Sequence, residues 1–204
     1  MSERECLFEG VEIKRHLPEN ATQPQLDHFC GLLEFRSPAV WLRHHDRLVV
    51  SARGEPYDAD GLLDIHFPLP EREQLRDADK YARRGEEAAR NAVMLPGTHA
   101  WITDRFSANY YHWLADALPR LELLVQHARG KVIQLLLPPK VAAQSFVRDS
   151  LAAHASVQVT SWPDGAQAVR PEQLAIPDHV SRNGHPVPEL MQRVRERLLA
   201  QLPA

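Results

Sequence analysis

The spacing of apolar residues changes character near residue 96. Before that point they come in short bursts. Residues 40–50, Val40-Trp41-Leu42-Arg43-His44-His45-Asp46-Arg47-Leu48-Val49-Val50, set two β-rich arms about a polar centre, the pattern of a hairpin. Residues 62–67 read as a further strand, and residues 1–36, interrupted by Pro18, Pro24 and Gly31, as a lead-in. Residues 70–90 are dense in charge and helix formers but poor in large apolar side chains, which predicts a solvent-facing helix or a mobile excursion.

After Pro96-Gly97 the pattern alternates between β and α. Residues 100–103 predict a short strand and residues 109–127 a helix. Residues 131–137 form an almost continuous apolar run, as expected of a strand covered on both faces. Val141, Phe146, Val147 and Leu151 recur at helical spacing within residues 141–154. Residues 157–162 and 174–176 read as short strands, with the turn sequence Pro163-Asp164-Gly165 between them. Leu190, Val194, Leu198 and Leu202 mark a final helix over residues 188–202. The alternation predicts an α/β fold: a Rossmann-like lobe over residues 96–204, with a mostly parallel sheet flanked by helices, and a β-rich N-terminal segment, residues 1–95, packed on it. Ligand sites in such sheets lie beyond the carboxyl ends of the strands, where the helix starting at residue 109 begins.

Composition narrows the function classes. Lys plus Arg (24) against Asp plus Glu (27) gives a net charge of −3, so no broad electropositive field is offered to nucleic acid. Arg193, Arg195 and Arg197 are interleaved with acidic and apolar residues, as on a solvated helix face. No apolar run approaches the ~18–20 residues of a membrane span, and the N-terminus lacks the apolar core of a secretory signal. Cys6 and Cys30 belong to no CxxC pair and read as reduced thiols of a cytoplasmic protein. His44 and His45 are adjacent, so in a strand they face opposite ways and cannot share a metal; no zinc-type ligand cluster is present, and no metal is expected. Neither GxGxxG nor GxxxxGK[ST] occurs.

Chemistry concentrates in Asn109-Tyr110-Tyr111-His112-Trp113-Leu114-Ala115-Asp116-Ala117-Leu118-Pro119-Arg120-Leu121. In a helix the spacings of three, four and four place Asn109, His112, Asp116 and Arg120 along one line of the surface. His112 or Asp116 can serve as general base, and Arg120 can keep Asp116 ionised. Asn109 suits either a helix cap or a sugar hydroxyl, and Tyr110, Tyr111 and Trp113 offer flat faces to a sugar ring. A plainer account makes Asp116 and Arg120 an i,i+4 pair worth ~0.3–0.5 kcal/mol and Trp113 a core residue. Pro119 lacks the N–H for the Ala115 carbonyl, so the helix should kink or restart near Leu118-Pro119.

This thirteen-residue run resembles the signature of glycosyltransferase family 61, which includes polysaccharide and capsule enzymes. The lead-in Ala100-Trp101-Ile102-Thr103-Asp104 resembles the strand and loop before that signature, and the likeness extends over roughly residues 95–200. It implies one half of a GT-B arrangement, two Rossmann-like lobes facing across a cleft. It further implies transfer of a sugar from a nucleotide-sugar donor to a glycan or polysaccharide acceptor, with the donor as substrate and no cofactor. His112 and Asp116 would be catalytic, and Asn109, Tyr110, Trp113 and Arg120 substrate-binding. The nucleotide site of that arrangement belongs largely to a second lobe, so a second lobe or partner chain is expected. The alternative class is a non-catalytic α/β module that binds a glycan or a protein, or a degenerate truncated remnant.

Overall fold

The computed structural model describes residues 4–16, 22–24, 33–57, 78–104, 106–180 and 186–201. In chain order the strands are β1 (Arg4–Phe8), β2 (Glu12–Lys14), β3 (Glu34–Arg36), β4 (Val40–Asp46), β5 (Val49–Ser51), β6 (Pro56–Tyr57) and, after helix α1 (Ala78–Asn91), β7 (Val93–Ala100). Helix α2 then runs through three contiguous pieces, Tyr110–His112, Trp113–Ala117 and Leu118–Ala128. β8 (Ile133–Leu136), α3 (Pro139–Ala142), α4 (Ser145–Leu151), β9 (Val157–Thr160), β10 (Ala168–Pro177) and α5 (Pro188–Leu199) follow.

The result is an α/β fold on a mixed sheet with strand order β1-β4-β10-β7-β8-β9. The four strands β10, β7, β8 and β9 are mutually parallel, whereas β4 and β5 meet β10 antiparallel. The two expected arms of residues 40–50 are therefore strands, but not a hairpin. Asp46 faces Gln173 and Val50 faces Val169, so both arms lie along β10 as one strand, bent at Arg47 (φ 64°). Pro171 lies between those two β10 partners and has no N–H to give the ladder, which accommodates the bend.

The strand expected at residues 100–103 is displaced. β7 begins at Val93 and ends at Ala100; Trp101 still gives its N–H to the Ala175 carbonyl of β10, and residues 102–104 follow outside regular structure. Pro96-Gly97 sits inside β7, where the pairing with β10 shifts between Pro171 and Gln173. Gly97 (φ 83°) supplies the left-handed residue of that bulge, and its N–H donates to Glu172 Oε2 at 2.6 Å. The division expected at residues 95 and 96 thus falls within a strand. The run 141–154 is two short helices, broken at Gln144, rather than one. The strand expected at 62–67, the first part of the 70–90 excursion, and Cys30 lie outside the described residues; Cys6 is an exposed free thiol.

One face of the sheet carries α2, α4 and α5. Trp113, Ala117, Leu118, Leu121 and Leu124 of α2 pack with Ile102, Leu135, Val147 and Val194 in one cluster. Burying a Leu or Ile there contributes about 1.5–3 kcal/mol each. Among the residues of α1 whose burial is described, Tyr81, Gly85 and Ala88 are buried, a narrow stripe at i, i+4, i+7, and the others are exposed or half-buried. Among the described residues no helix is long and apolar enough to cross a membrane.

Candidate functional site

The start of α2 is defined by Asn109. Its backbone is extended (φ −92°, ψ 137°), and its Oδ1 accepts the Tyr111 N–H at 2.9 Å. Of the two roles open to it, the cap is the one the geometry uses. Residues 113–117 form a π-helical turn, with the Leu118 N–H donating to the Trp113 carbonyl five residues back. Pro119 follows in the first turn of the next α segment, where a missing N–H costs nothing. The helix restarts there, as Pro119 requires.

The π turn explains which of the four aligned residues stay together. It holds about one residue more than an α turn, so positions beyond it are rotated by about 100° relative to an uninterrupted helix. His112 and Asp116 remain neighbours, with His112 Nδ1 2.8 Å from Asp116 Oδ2. Arg120 is turned inward and fully buried. Its Nε donates to the Asp116 backbone carbonyl at 3.1 Å, not to the carboxylate, and Nη1 and Nη2 have no hydrogen-bond partner among the described residues. Arg120 is thus corrected from a substrate contact to an internal charge behind the dyad. Trp113 is corrected likewise: it is core, with its indole N–H donating to Ser150 Oγ at 2.8 Å.

The imidazole is the part of the dyad that reaches solvent: the His112 side chain is 24% exposed against 9% for Asp116. With Asp116 ionised, its carboxylate can only accept, so Nδ1 carries the proton and Nε2 is left as the basic nitrogen. Burial, assisted by the Asp104 charge, pushes Asp116 above the usual carboxylate range against the pull of the His112 hydrogen bond. Around the imidazole lie exposed aromatic rings. Phe106 stacks on it at 5.2 Å between centroids, Tyr111 meets it edge-on at 5.5 Å, and Tyr110 packs edge-on against Phe146 at 5.4 Å. Tyr110 and Tyr111 are 59% and 46% exposed, enough to present a face to a ligand.

No match to this chain is found among protein-family models, curated proteins or solved structures. The site is therefore read from its geometry.

Reading the sequence missed the charges behind the dyad. Asp104 follows β7 and Asp178 follows β10, adjacent parallel strands, so the sheet brings two carboxylates far apart in sequence within electrostatic reach of the same buried Arg120. Arg43 grips Asp178 with Nε on Oδ1 at 2.7 Å and Nη2 on Oδ2 at 3.1 Å. Burial would raise Asp104, but Arg120, His179, the Phe106 N–H and the Ser107 hydroxyl together hold it below its ordinary range. Burial and the Arg120 charge push His179 down to about 3. Arg120 itself is lowered by burial, with Asp104, Asp116 and Asp178 opposing. The available clue was positional, since acidic residues immediately after parallel strands occupy the usual ligand end of the sheet.

Among the described residues no group of three or more His, Cys, Asp or Glu side chains could hold a metal ion. A cavity of about 450 Å³ opens at the opposite end of the sheet, near the amino ends of β7 and β10, where Arg53, Glu55, Tyr57, Arg84, Glu87 and Asp164 line it. It is remote from the dyad in the fold and separate from it.

Proposed function

We propose that this chain is a Rossmann-like, acceptor-side lobe of a glycosyltransferase resembling family 61. It would transfer a sugar from a nucleotide-sugar donor to a glycan or polysaccharide acceptor, completed by a second lobe or a partner chain that holds the nucleotide. The observation that carries the reading is the His112–Asp116 pair: an imidazole ordered by a buried carboxylate on one nitrogen, open on its other edge, and flanked by exposed aromatic rings.

In this reading the acceptor hydroxyl gives its proton to His112 Nε2 as its oxygen bonds to the anomeric carbon. The anomeric carbon–oxygen bond to the nucleoside diphosphate breaks, and the electron pair leaves on that diphosphate with inversion at the carbon. Asp116 stabilises the imidazolium that forms, and proton transfer of this kind contributes roughly 10²–10⁴ in rate. Tyr110 and Tyr111 supply apolar faces for the sugar rings. Arg120 does not reach the diphosphate from its buried position, so neutralising the leaving group falls to the second lobe.

The test is release of nucleoside diphosphate from a panel of UDP-, GDP- and ADP-activated sugars, with oligosaccharide acceptors, by the complete or reconstituted enzyme. Acceptor-dependent release supports the reading; none across the panel overturns it. A second reading, a non-catalytic module binding a glycan or protein partner, draws on the cavity at the other end of the sheet. It predicts binding that His112→Ala leaves unchanged.

A further inference from the structure

His112 is held from three sides, and one of them is not built into its helix. Asp116 is one turn further along α2 and Tyr111 is the adjacent residue, so both arrive with the helix itself. Phe106 comes from the preceding loop. Its ring lies over the imidazole with centroids 5.2 Å apart and planes inclined by 27°. It is held there by a closed turn. Asp104 Oδ1 accepts the Phe106 N–H at 2.8 Å and the Ser107 hydroxyl at 3.0 Å, Ser107 Oγ accepts the Asp104 N–H at 2.9 Å, and the Asn109 N–H donates to the Phe106 carbonyl at 2.8 Å. Ser107 is fully buried, while the Phe106 ring it anchors is 38% exposed. An apolar ring tied down but left partly in water gains less from burial than a core residue does.

What the ring can do follows from the torsion it blocks. The χ2 torsion of a histidine is broad and roughly two-fold, so the imidazole can turn over about it. A half turn would bring a ring carbon to the Asp116 carboxylate in place of Nδ1 and take the basic nitrogen away from its outward position. We propose that Phe106, fixed by the Asp104–Ser107 turn, is a positioning residue that clamps the His112 imidazole with Nδ1 on Asp116 and Nε2 outward. The use of that clamp rests on the reading of His112 as proton acceptor, but the clamp can be observed without turnover.

The measurement is two-bond ¹H–¹⁵N correlation spectroscopy of the whole chain labelled with ¹⁵N-histidine, the His112 signals being assigned by their loss in His112→Gln. The wild-type ring should be almost wholly the Nδ1–H tautomer. Phe106→Ala should raise the Nε2–H share several-fold with the remaining amide spectrum unchanged, and Phe106→Tyr should restore the wild-type shifts. Asp104→Ala should copy Phe106→Ala, whereas Asp104→Asn, which keeps an acceptor oxygen for the turn, should resemble wild type. Because Phe106 is partly exposed, its variants report even if Asp104→Ala does not fold. Unchanged His112 shifts in Phe106→Ala would overturn the clamp. A clamp released as described, in a complete enzyme that transfers no sugar, would overturn the transferase reading alone.

Discussion

Asp116 Oδ2 stands 2.8 Å from His112 Nδ1, and of the two side chains the imidazole is the more exposed. This order assigns the roles. The carboxylate sits behind and sets the tautomer, and in the proposed transfer the imidazole is the group that would meet the substrate.

In a complete or reconstituted enzyme, His112→Ala and Asp116→Asn should each depress sugar transfer at least a hundredfold, within the ~10²–10⁴ range for a lost general base. Near-normal turnover in both variants, measured at saturating donor and acceptor, would remove catalysis from this helix.

Asp116→Asn should leave thermal stability at pH 7 unchanged or raised. A carboxylate whose folded pKa is raised binds its proton more tightly in the folded state. Its ionised form therefore penalises folding above that pKa, and the penalty vanishes below the unfolded value of about 3.9. The gap between variant and wild type should close as pH falls towards 4 in calorimetric scans, and a variant much less stable than wild type at pH 7 would contradict this.

His179 contributes with the opposite sign. Its folded pKa is pushed down to about 3, so the unfolded chain takes up this proton near pH 6.5 and the folded chain does not. The resulting stability is fully present above pH 6.5 and drains away between 6.5 and 3, at up to ~1.4 kcal/mol per pH unit. His179→Gln should flatten the dependence of urea-unfolding free energy on pH between 7 and 5; an unchanged slope would show that His179 is not a buried neutral group.

Glu122 is the hub that fastens α5 and the turn after α4 to α2. Its Oε1 accepts from His154 Nε2 at 2.8 Å and from Arg197 Nε at 2.5 Å, and these bonds outweigh burial in holding it below the usual carboxylate range. Glu122→Ala strands a buried imidazole and should cost about 3–5 kcal/mol in urea unfolding. Arg197→Ala should cost about 1 kcal/mol or less, since that side chain is about a third exposed. Equal losses in the two variants would contradict this ranking.

How much the sequence revealed depended on where period and partner coincide. Helices α2 and α5 and strand β8 were legible because their apolar positions repeat at one period and face one core. β7 was not. It is largely exposed at Val93, Met94 and Thr98 and contains a proline, so its alternation carries little signal. β10 was found only in its last apolar stretch, because Pro171-Glu172-Gln173 reads as a break although the strand continues through it. The arms at 40–50 were visible as strands, but their common partner lies more than a hundred residues away. In the site, His112 and Asp116 could be paired from an i,i+4 spacing. The inward turn of Arg120 depends on a π turn that leaves no mark in residue spacing, and Asp104 and Asp178 come within reach of that arginine only through the pairing of β7 with β10.

Because β10 zips the parallel strands on one flank to the antiparallel strands on the other, any engineered cut at the change of sequence rhythm near residue 96 would sever β7 midway and strip β10 of both β4 and β5. Such a piece would bare a row of unsatisfied backbone donors and acceptors and invite strand-to-strand aggregation. Grafts and expression fragments of this molecule need to keep Arg4–Phe8 and everything after it together.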